Sequence, residues 1–563
     1  MKKNKQLNLY FDENIHQKKN NKDLDKRINI IISVFLLISL LTLSKLLMIG
    51  FEKKKFYFAD NYFLEDVKRR TIVDQNHNLL AYNIKTHDLL IRTKRVKNFR
   101  NLNLKLRLKF SDIDLKKIKN FKDKPFHIIK KNLTPSEYNK ALRLGEPSIE
   151  LVRNEARVYP NKNLFSHIIG NVDVDQKGIS GIEMFLDKEI LNKNKINEPI
   201  VLSVDQNIQF IIRETLNQSM NLFNARGASS ILLDAQSGKV ISMISLPDYN
   251  PNNRKEVINK INTFNKNTKG LYELGSIFKT FAIANALEKN VVTRNKIYKN
   301  LPKEVSCGKF PIKEYRYSAD KKNLTVNDIL VESSNIGTIR IIQDSGLNSY
   351  RNFLENLEIF NISTIELPEV SSSIKKRWGK CNTLTAGYGH GINTTPIQLT
   401  RAFASIINGG NLLDISLLKN KEIKFKSKVI SEKTSEIMRN ILRTNVDNNY
   451  KRGGSGRKAD VKGYNVMGKT GTAQKPHIFA KGYSKEILNI FTSAFEINNK
   501  FYVLTIILDE PKGSQKLWGH NRREAGWNAG YINGQIIKKI GPILNTLNFN
   551  EYVKLNKWKF LKL

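Results

Sequence analysis

The chain has 563 residues, with 94 Lys+Arg against 52 Asp+Glu, a formal charge of +42. Hydrophobic residues make up 40%, enough apolar mass for a full core, which excludes a wholly disordered chain and a small disulfide-stapled scaffold. The charge first suggests nucleic acid or another anionic surface as partner, but Lys, Asn and Ile are abundant along the whole chain, so compositional drift accounts for most of it. The length corresponds to roughly two to four domains. Two cysteines, Cys307 and Cys381, are too few for a metal cluster or a disulfide framework. They would form one bridge if adjacent in the fold; two buried thiols are the expectation.

Ile28 to Leu43 is apolar, and the run resumes after Ser44-Lys45 as Leu46 to Phe51. These 24 residues are long enough to cross about 30 Å of hydrocarbon. Lys45 lies near the C-terminal end, where its ammonium can snorkel to the interface. A hydrophilic stretch of 27 residues precedes the run and no small-x-small cleavage site follows it, so an uncleaved anchor is expected rather than a signal peptide. Lys18, Lys19, Lys22, Lys26 and Arg27 before the run, against Lys53 to Lys55 after it, favour a cytoplasmic N-terminus and an exported remainder.

Residues 52–203 mix short apolar stretches such as His87 to Arg92 with Lys-rich runs. Between Arg92 and Lys131 there are 15 Lys/Arg, opposed only by Asp112, Asp114 and Asp123. Leu and Ile recur within this run, which predicts basic-faced helices with a solvated outer side. From Asp205 the character changes. Ile208, Ile211, Ile212, Leu216, Met220 and Phe223 fall on one helical face. Ser229 to Asp234, a turn at Ala235 to Gly238, and Lys239 to Ser245 read as a β-hairpin. Asn489 to Phe495 and Phe501 to Leu508 form a second strand pair. Ile532, Ile536, Ile540 and Leu544 mark a closing amphipathic helix. Helices at both ends of a β-rich region predict an α/β domain with a helix-covered sheet.

Three short motifs carry chemistry. The first is Gly275-Ser276-Ile-Phe-Lys279, leading into the helix-forming Ala282 to Leu287. A Ser and a Lys three apart on a helix share a face, and a lysine stripped of water or set beside other cations can take a serine's proton. Alone the pattern says little, because Ser-x-x-Lys occurs seven times in the chain. The second is Ser333-Ser334-Asn335, whose hydroxyl and amide can face one cleft; Ser219-Met-Asn221 satisfies the same weak pattern. The third, Gly468-Lys469-Thr470-Gly471-Thr472, contains the chain's single Lys-Thr-Gly. It predicts a strand edge where Lys469 meets a carboxylate and Gly471 admits a substrate backbone. Gly463 to Thr470 also matches the phosphate-loop pattern, but no apolar strand leads into it and no helix former follows.

The motifs occur in order, 57 and then 136 residues apart. This is the Ser-x-x-Lys, Ser-x-Asn, Lys-Thr-Gly set of penicillin-binding proteins and serine β-lactamases. The chain resembles class B penicillin-binding proteins, and among them the division-type peptidoglycan transpeptidases. Arg69 to Leu80-Ala81 is similar to the family's opening segment, with Arg70, Gln75 and His77 in place of the expected residues, two of which are glycines. Arg157-Val-Tyr-Pro160, His167 to Gly170 and Gly178 to Glu183 resemble motifs of its pedestal domain. Asp248 to Asn252, Gly387-Tyr-Gly-His-Gly391 and Thr395 to Gln398 resemble transpeptidase segments. Gly526-Trp-Asn-Ala529 looks like the alphaproteobacterial branch.

The resemblance implies an α/β (α+β) transpeptidase domain, its antiparallel sheet flanked by helices, behind an elongated mixed pedestal and one transmembrane helix. The expected layout is a cytoplasmic tail (1–27), an anchor (28–51), a non-catalytic pedestal (52–203), a transpeptidase domain (204–545) and a C-terminal tail (546–563). It implies Ser276 as nucleophile on the penultimate D-Ala of a stem peptide and Lys279 as its base. Ser333 would relay a proton to the departing D-Ala, and Asn335 would orient Lys279 and the substrate amide. The Ser276 and Thr472 N–H groups would form the oxyanion hole, and Lys469, Thr470, Gly471 and Thr472 would hold the substrate. No metal or cofactor is implied. β-Lactams would acylate the same serine. The pedestal shows no acidic glycosyltransferase motif, so glycan polymerisation would come from an FtsW-type partner among other division proteins, with the anchor as contact in the inner membrane. The rival readings are an elongation-type transpeptidase, a β-lactamase or β-lactam sensor, and a catalytically idle division scaffold. No motif supports a nucleic-acid partner.

Overall fold

The computed structural model describes residues 13–51, 69–118, 121–187, 198–308, 310–315, 317–373, 378–477 and 482–560. It divides into two units, Met1–Asp66 with Asn120–Phe126, and Val67–Lys119 with His127–Leu563. Among its described residues the smaller holds a helix of 39 residues, Glu13–Phe51. Within it Lys26–Leu47 has a mean hydropathy of 2.5, and among the described residues this is the one helix long and apolar enough to cross a membrane. Helix continues unbroken through Lys45 and begins at Glu13, inside the segment expected to be a tail. Lys53 to Lys55, used above for orientation, lie outside the described residues.

In the larger unit the first architecture is strand-dominated. Leu79–Arg92 is a 14-residue strand paired antiparallel with Ile149–Val158 from Tyr82↔Val158 to Ile91↔Ile149. The Lys-rich run departs from the all-helical expectation. Its described residues hold a 3-10 turn at Thr93–Arg95, one α-helix, Phe99–Lys109, capped by Asn98, a second 3-10 turn and a strand, Phe126–Lys130. The Phe-His-Ile-Ile sequence of that strand favours a pleated, half-buried surface over a helix. On the helix Leu102 and Leu106 turn inward, while Leu104 and Leu108 remain exposed. At the start of the unit His77 takes φ 66°, the left-handed conformation of a position where the resemblance expects glycine. A buried ion cluster ties this region together: Glu183 accepts from Arg69 Nε at 2.8 Å and from Arg157 Nε at 2.7 Å.

The second architecture is a five-stranded antiparallel sheet in the order Met467–Pro476, Tyr483–Ile497, Lys500–Asp509, Gly227–Asp234, Val240–Leu246. Both strand pairs expected from the sequence are present. Layers cover the sheet on both faces, so its strands read as nearly continuous apolar runs. Helix Gln206–Leu222, with Asp205 accepting from the Asn207 and Ile208 N–H groups, and helix Ala529–Phe560 cover one face. Ile208, Ile212, Leu216, Ile532, Ile536, Ile540 and Leu544 pack there with Leu232, Phe491 and Phe495. The alternate residues Ile231, Leu233 and Ile490 point the other way, into a core with Phe278, Phe281, Leu399 and Phe403. Helix Phe278–Glu288, buried from Phe278 to Leu287, runs through that core. The last helix continues past Pro542 to Phe560, into the segment expected to be a tail.

The cysteines correct the expectation of two thiols. Cys307 and Cys381 form a disulfide with a Cα–Cα distance of 5.6 Å across 74 residues of sequence. The bridge joins the hairpin Glu304–Cys307/Phe310–Lys313 to the helix Lys380–Ala386, a proximity that no local pattern in the sequence encodes.

Candidate active site

All three motifs meet where the edge strand of the sheet passes the start of the buried helix. Ser276 lies in a 3-10 turn, Gly275–Ile277, that runs directly into helix Phe278–Glu288. Gly275 supplies the left-handed φ of 59° that the turn requires. A Cβ there would sit 2.8 Å from Thr472 O and 3.1 Å from Thr472 N, which shows how closely the backbone of the edge strand abuts the turn. Gly389, within the Gly387–Gly391 segment, closes the other side; a Cβ at that position would meet Gly275 O at 2.1 Å.

Lys279 is one turn along, fully buried. Its Nζ donates to Asn335 Oδ1 at 2.8 Å, to Ser333 Oγ at 3.1 Å and to the Ser333 carbonyl. Ser276 Oγ is not among its partners. Ser333 takes φ 55°, a left-handed conformation that costs a residue with a side chain about 1 kcal/mol. That geometry aims both its carbonyl and its hydroxyl at Lys279. Ser334 begins the following helix, Asn335–Ser345, by accepting from Gly337 N at 2.8 Å.

Lys469 enters from the edge strand, also fully buried. Its Nζ donates to Ser333 Oγ at 3.1 Å and to Thr470 O at 3.3 Å. Ser333 Oγ therefore accepts from both lysines. Thr470 Oγ1 and Ser455 Oγ share a hydrogen bond of 2.6 Å, and Thr472 is exposed. The Lys-Thr-Gly segment pairs on one side only, Lys469↔Thr492 and Gly471↔Ile490, as the sequence reading expected of a strand edge. It is no phosphate loop, because strand and not helix follows Gly468. A Cβ at Gly471 would lie 2.5 Å from Leu274 O and 3.2 Å from the Ile277 side chain, so the missing side chain lets the edge strand approach the Gly275–Ile277 turn.

The electrostatics follow from burying two cations together. Burial, and next the Lys469 charge, push the Lys279 amine well below the ordinary lysine value, while Glu314 acts in the opposite sense. Burial alone pulls Lys469 down to about 7. The lowered proton affinity favours the neutral amine of Lys279, the form that can receive a proton as a general base must.

The sequence reading brought together Ser276, Lys279, Ser333, Asn335, Lys469 and the Thr470–Thr472 segment, and the structure gathers all of them. It missed three neighbours. Glu314 caps the helix that carries Asn335, Ser455 bonds Thr470, and Glu273 accepts from Tyr483 Oη at 2.8 Å and from Gly391 N at 3.0 Å. Of these only Glu273 had a signal, its place three residues before Ser276.

The family described as penicillin binding protein transpeptidase domain matches residues 228–526, and the penicillin-binding protein dimerisation domain matches residues 64–209. The chain is 29% identical over 500 residues to a probable peptidoglycan D,D-transpeptidase FtsI of Caulobacter vibrioides, covering 86% of this chain and 83% of that protein. It is also 29% identical over 554 residues to a peptidoglycan D,D-transpeptidase FtsI of Buchnera aphidicola, covering 90% and 94%. Among solved structures, penicillin binding protein 3 of Mycobacterium tuberculosis complexed with aztreonam shares the fold with a TM-score of 0.64, at 20% identity over 84% of this chain and 96% of that one. The chain belongs to the penicillin-binding protein transpeptidase family, in the class B arrangement that sets a dimerisation domain ahead of the transpeptidase domain.

Proposed function

We propose that the protein is a division-type peptidoglycan D,D-transpeptidase that works through an acyl-enzyme on Ser276. The observation that carries the reading is the convergence of Lys279 and Lys469 on Ser333 Oγ, each at 3.1 Å, in a fully buried pair beside the Ser276 turn. Ser276 Oγ attacks the carbonyl of the penultimate D-Ala as Lys279 takes its proton. The developing oxyanion meets the backbone N–H groups of Ser276 and Thr472, fixed donors that need no reorganisation. Ser333 passes the proton on to the nitrogen of the departing D-Ala, and the C–N bond breaks to leave the acyl-enzyme. Lys469, Thr470 and Thr472 hold the terminal carboxylate. An amine of a second stem peptide then attacks the ester, which forms the cross-link and frees Ser276. A β-lactam acylates the same serine because its ring amide occupies the place of the D-Ala-D-Ala bond.

The apolar helix Lys26–Leu47 supports a single membrane crossing. The cation count around it favours a cytoplasmic N-terminus with the catalytic domain outside. A separate polymerase of FtsW type, meeting the anchor helix, supplies the glycan strands. The test is a cross-linking reaction with purified full-length protein on nascent glycan strands whose stems end in D-Ala-D-Ala. The expected result is cross-linked stem dimers with release of D-Ala, both absent in S276A. Release of D-Ala without dimers would replace the transpeptidase by a hydrolase, and activity retained in S276A would overturn the site.

A further inference from the structure

Glu314 lies at the end of the hairpin Glu304–Cys307/Phe310–Lys313, partly buried and 20 residues before Ser334. Its carboxylate accepts from Asn335 N at 3.1 Å, from Ile336 N at 2.9 Å and from Ser334 Oγ. The preceding residue adds a fourth link, because Asn335 Nδ2 donates to Lys313 O at 2.8 Å. The amide of Asn335 is thereby held at both ends: Nδ2 on the hairpin backbone, Oδ1 on Lys279 Nζ. Fixing one end of a side-chain amide in this way decides which atom faces the lysine.

The hairpin is itself anchored. Glu314 N donates to Lys303 O at 3.0 Å, Ile312 is buried, and Cys307 is bonded to Cys381. Helix Lys380–Ala386, which carries Cys381, leads into Gly387, where a Cβ would meet Ile342 of the Asn335–Ser345 helix at 2.1 Å. Both elements joined by the disulfide thus touch the helix that begins with Asn335.

We propose that Glu314 is a positioning residue for acyl transfer: through its bonds to Ser334, Asn335 and Ile336 it sets the Ser333–Asn335 turn against Lys279. The contact also has an electrostatic side. The groups that act on Lys279 are Lys469 from the edge strand, Lys321 from the 3-10 turn before Ser333, and Glu314, and of the three only Glu314 favours the lysine's charged form. Removing its charge therefore lowers the proton affinity of Lys279 further.

The role rests on the assignment of Ser276 and Lys279 above, and one experiment separates the two. The second-order rate of penicillin acylation is measured against pH for the full-length parent, E314Q, E314D and S276A, with melting temperatures recorded alongside. E314Q is expected to acylate about tenfold more slowly, the rate equivalent of one lost charge-assisted hydrogen bond, with the acidic limb of its profile displaced to lower pH. E314D keeps the charge, so its acidic limb stays at the parental position. A parental rate and profile in E314Q overturns the proposal, and so does a loss of rate whose acidic limb is unmoved or moves upward. Should E314Q not fold, S334A decides: it removes one donor to the carboxylate but not the charge, so the rate falls with the acidic limb in place, and an unchanged rate refutes the role. Adduct retained by S276A would refute the site assignment and the proposal with it, whereas adduct lost in S276A beside an unaltered E314Q refutes the positioning role alone.

Discussion

Two lysines with no exposed surface share one serine hydroxyl. In the proposed mechanism acylation needs Lys279 neutral, so its rate should rise as pH climbs through the lowered pKa of that amine. The same mechanism needs Lys469 charged to bind the carboxylate, and that charge is lost as pH rises through about 7 in the free protein. The two requirements oppose each other. The second-order acylation constant, which reports the free protein, should trace a bell whose alkaline limb falls near neutrality. A stopped-flow profile that climbs without a fall into the alkaline range would contradict the role given to Lys469. Ser333 completes the picture at this scale, since its left-handed backbone leaves its hydroxyl oxygen turned toward both lysine amines.

At the scale of elements, the site is a junction of a helix start, a helix cap and a strand edge, each legible for a local reason. Ser276 and Lys279 are one turn apart at the head of an alanine-rich helix, and the single Lys-Thr-Gly is expected at a strand edge because it joins a cation, a hydroxyl and a glycine. What joins these pieces was not legible. Glu314 bonds a turn 20 residues away, and Cys307 bonds Cys381 across 74; neither distance leaves a periodic trace in the sequence. A strand glycine marks a close approach, and at Gly471 the Leu274 carbonyl supplies one. The Lys-rich stretch misled in another way, since its regular charges mimic a helical face while Phe126–Lys130 is drawn into a sheet. The disulfide makes a prediction of its own. Closing a loop of this length restricts the unfolded chain, so C307S/C381S should lose about 2–4 kcal/mol of stability. The same variant should acylate more slowly, because the hairpin that bears Glu314 loses its tether to helix Lys380–Ala386. Unaltered melting and acylation in the double variant would show that the bridge does neither.

For the whole molecule, a surplus of +42 charges invited a nucleic-acid reading, yet the cations to which the proposed mechanism gives a task are two that solvent does not reach, Lys279 and Lys469. Among the described residues others are paired, as Arg69 and Arg157 are with Glu183. The fold class was legible because both faces of the catalytic sheet are covered, which writes continuous apolar strands and flanking amphipathic helices into the sequence. The described helix extends back to Glu13, into a hydrophilic stretch that hydropathy alone does not read as helical. The most direct test of the whole account is mass spectrometry of the full-length protein after exposure to a penicillin. One adduct of the intact drug's mass, mapped to the peptide that contains Ser276, absent in S276A and strongly slowed in K279A, is the predicted result. An adduct on another residue, or one that persists in S276A, would contradict it.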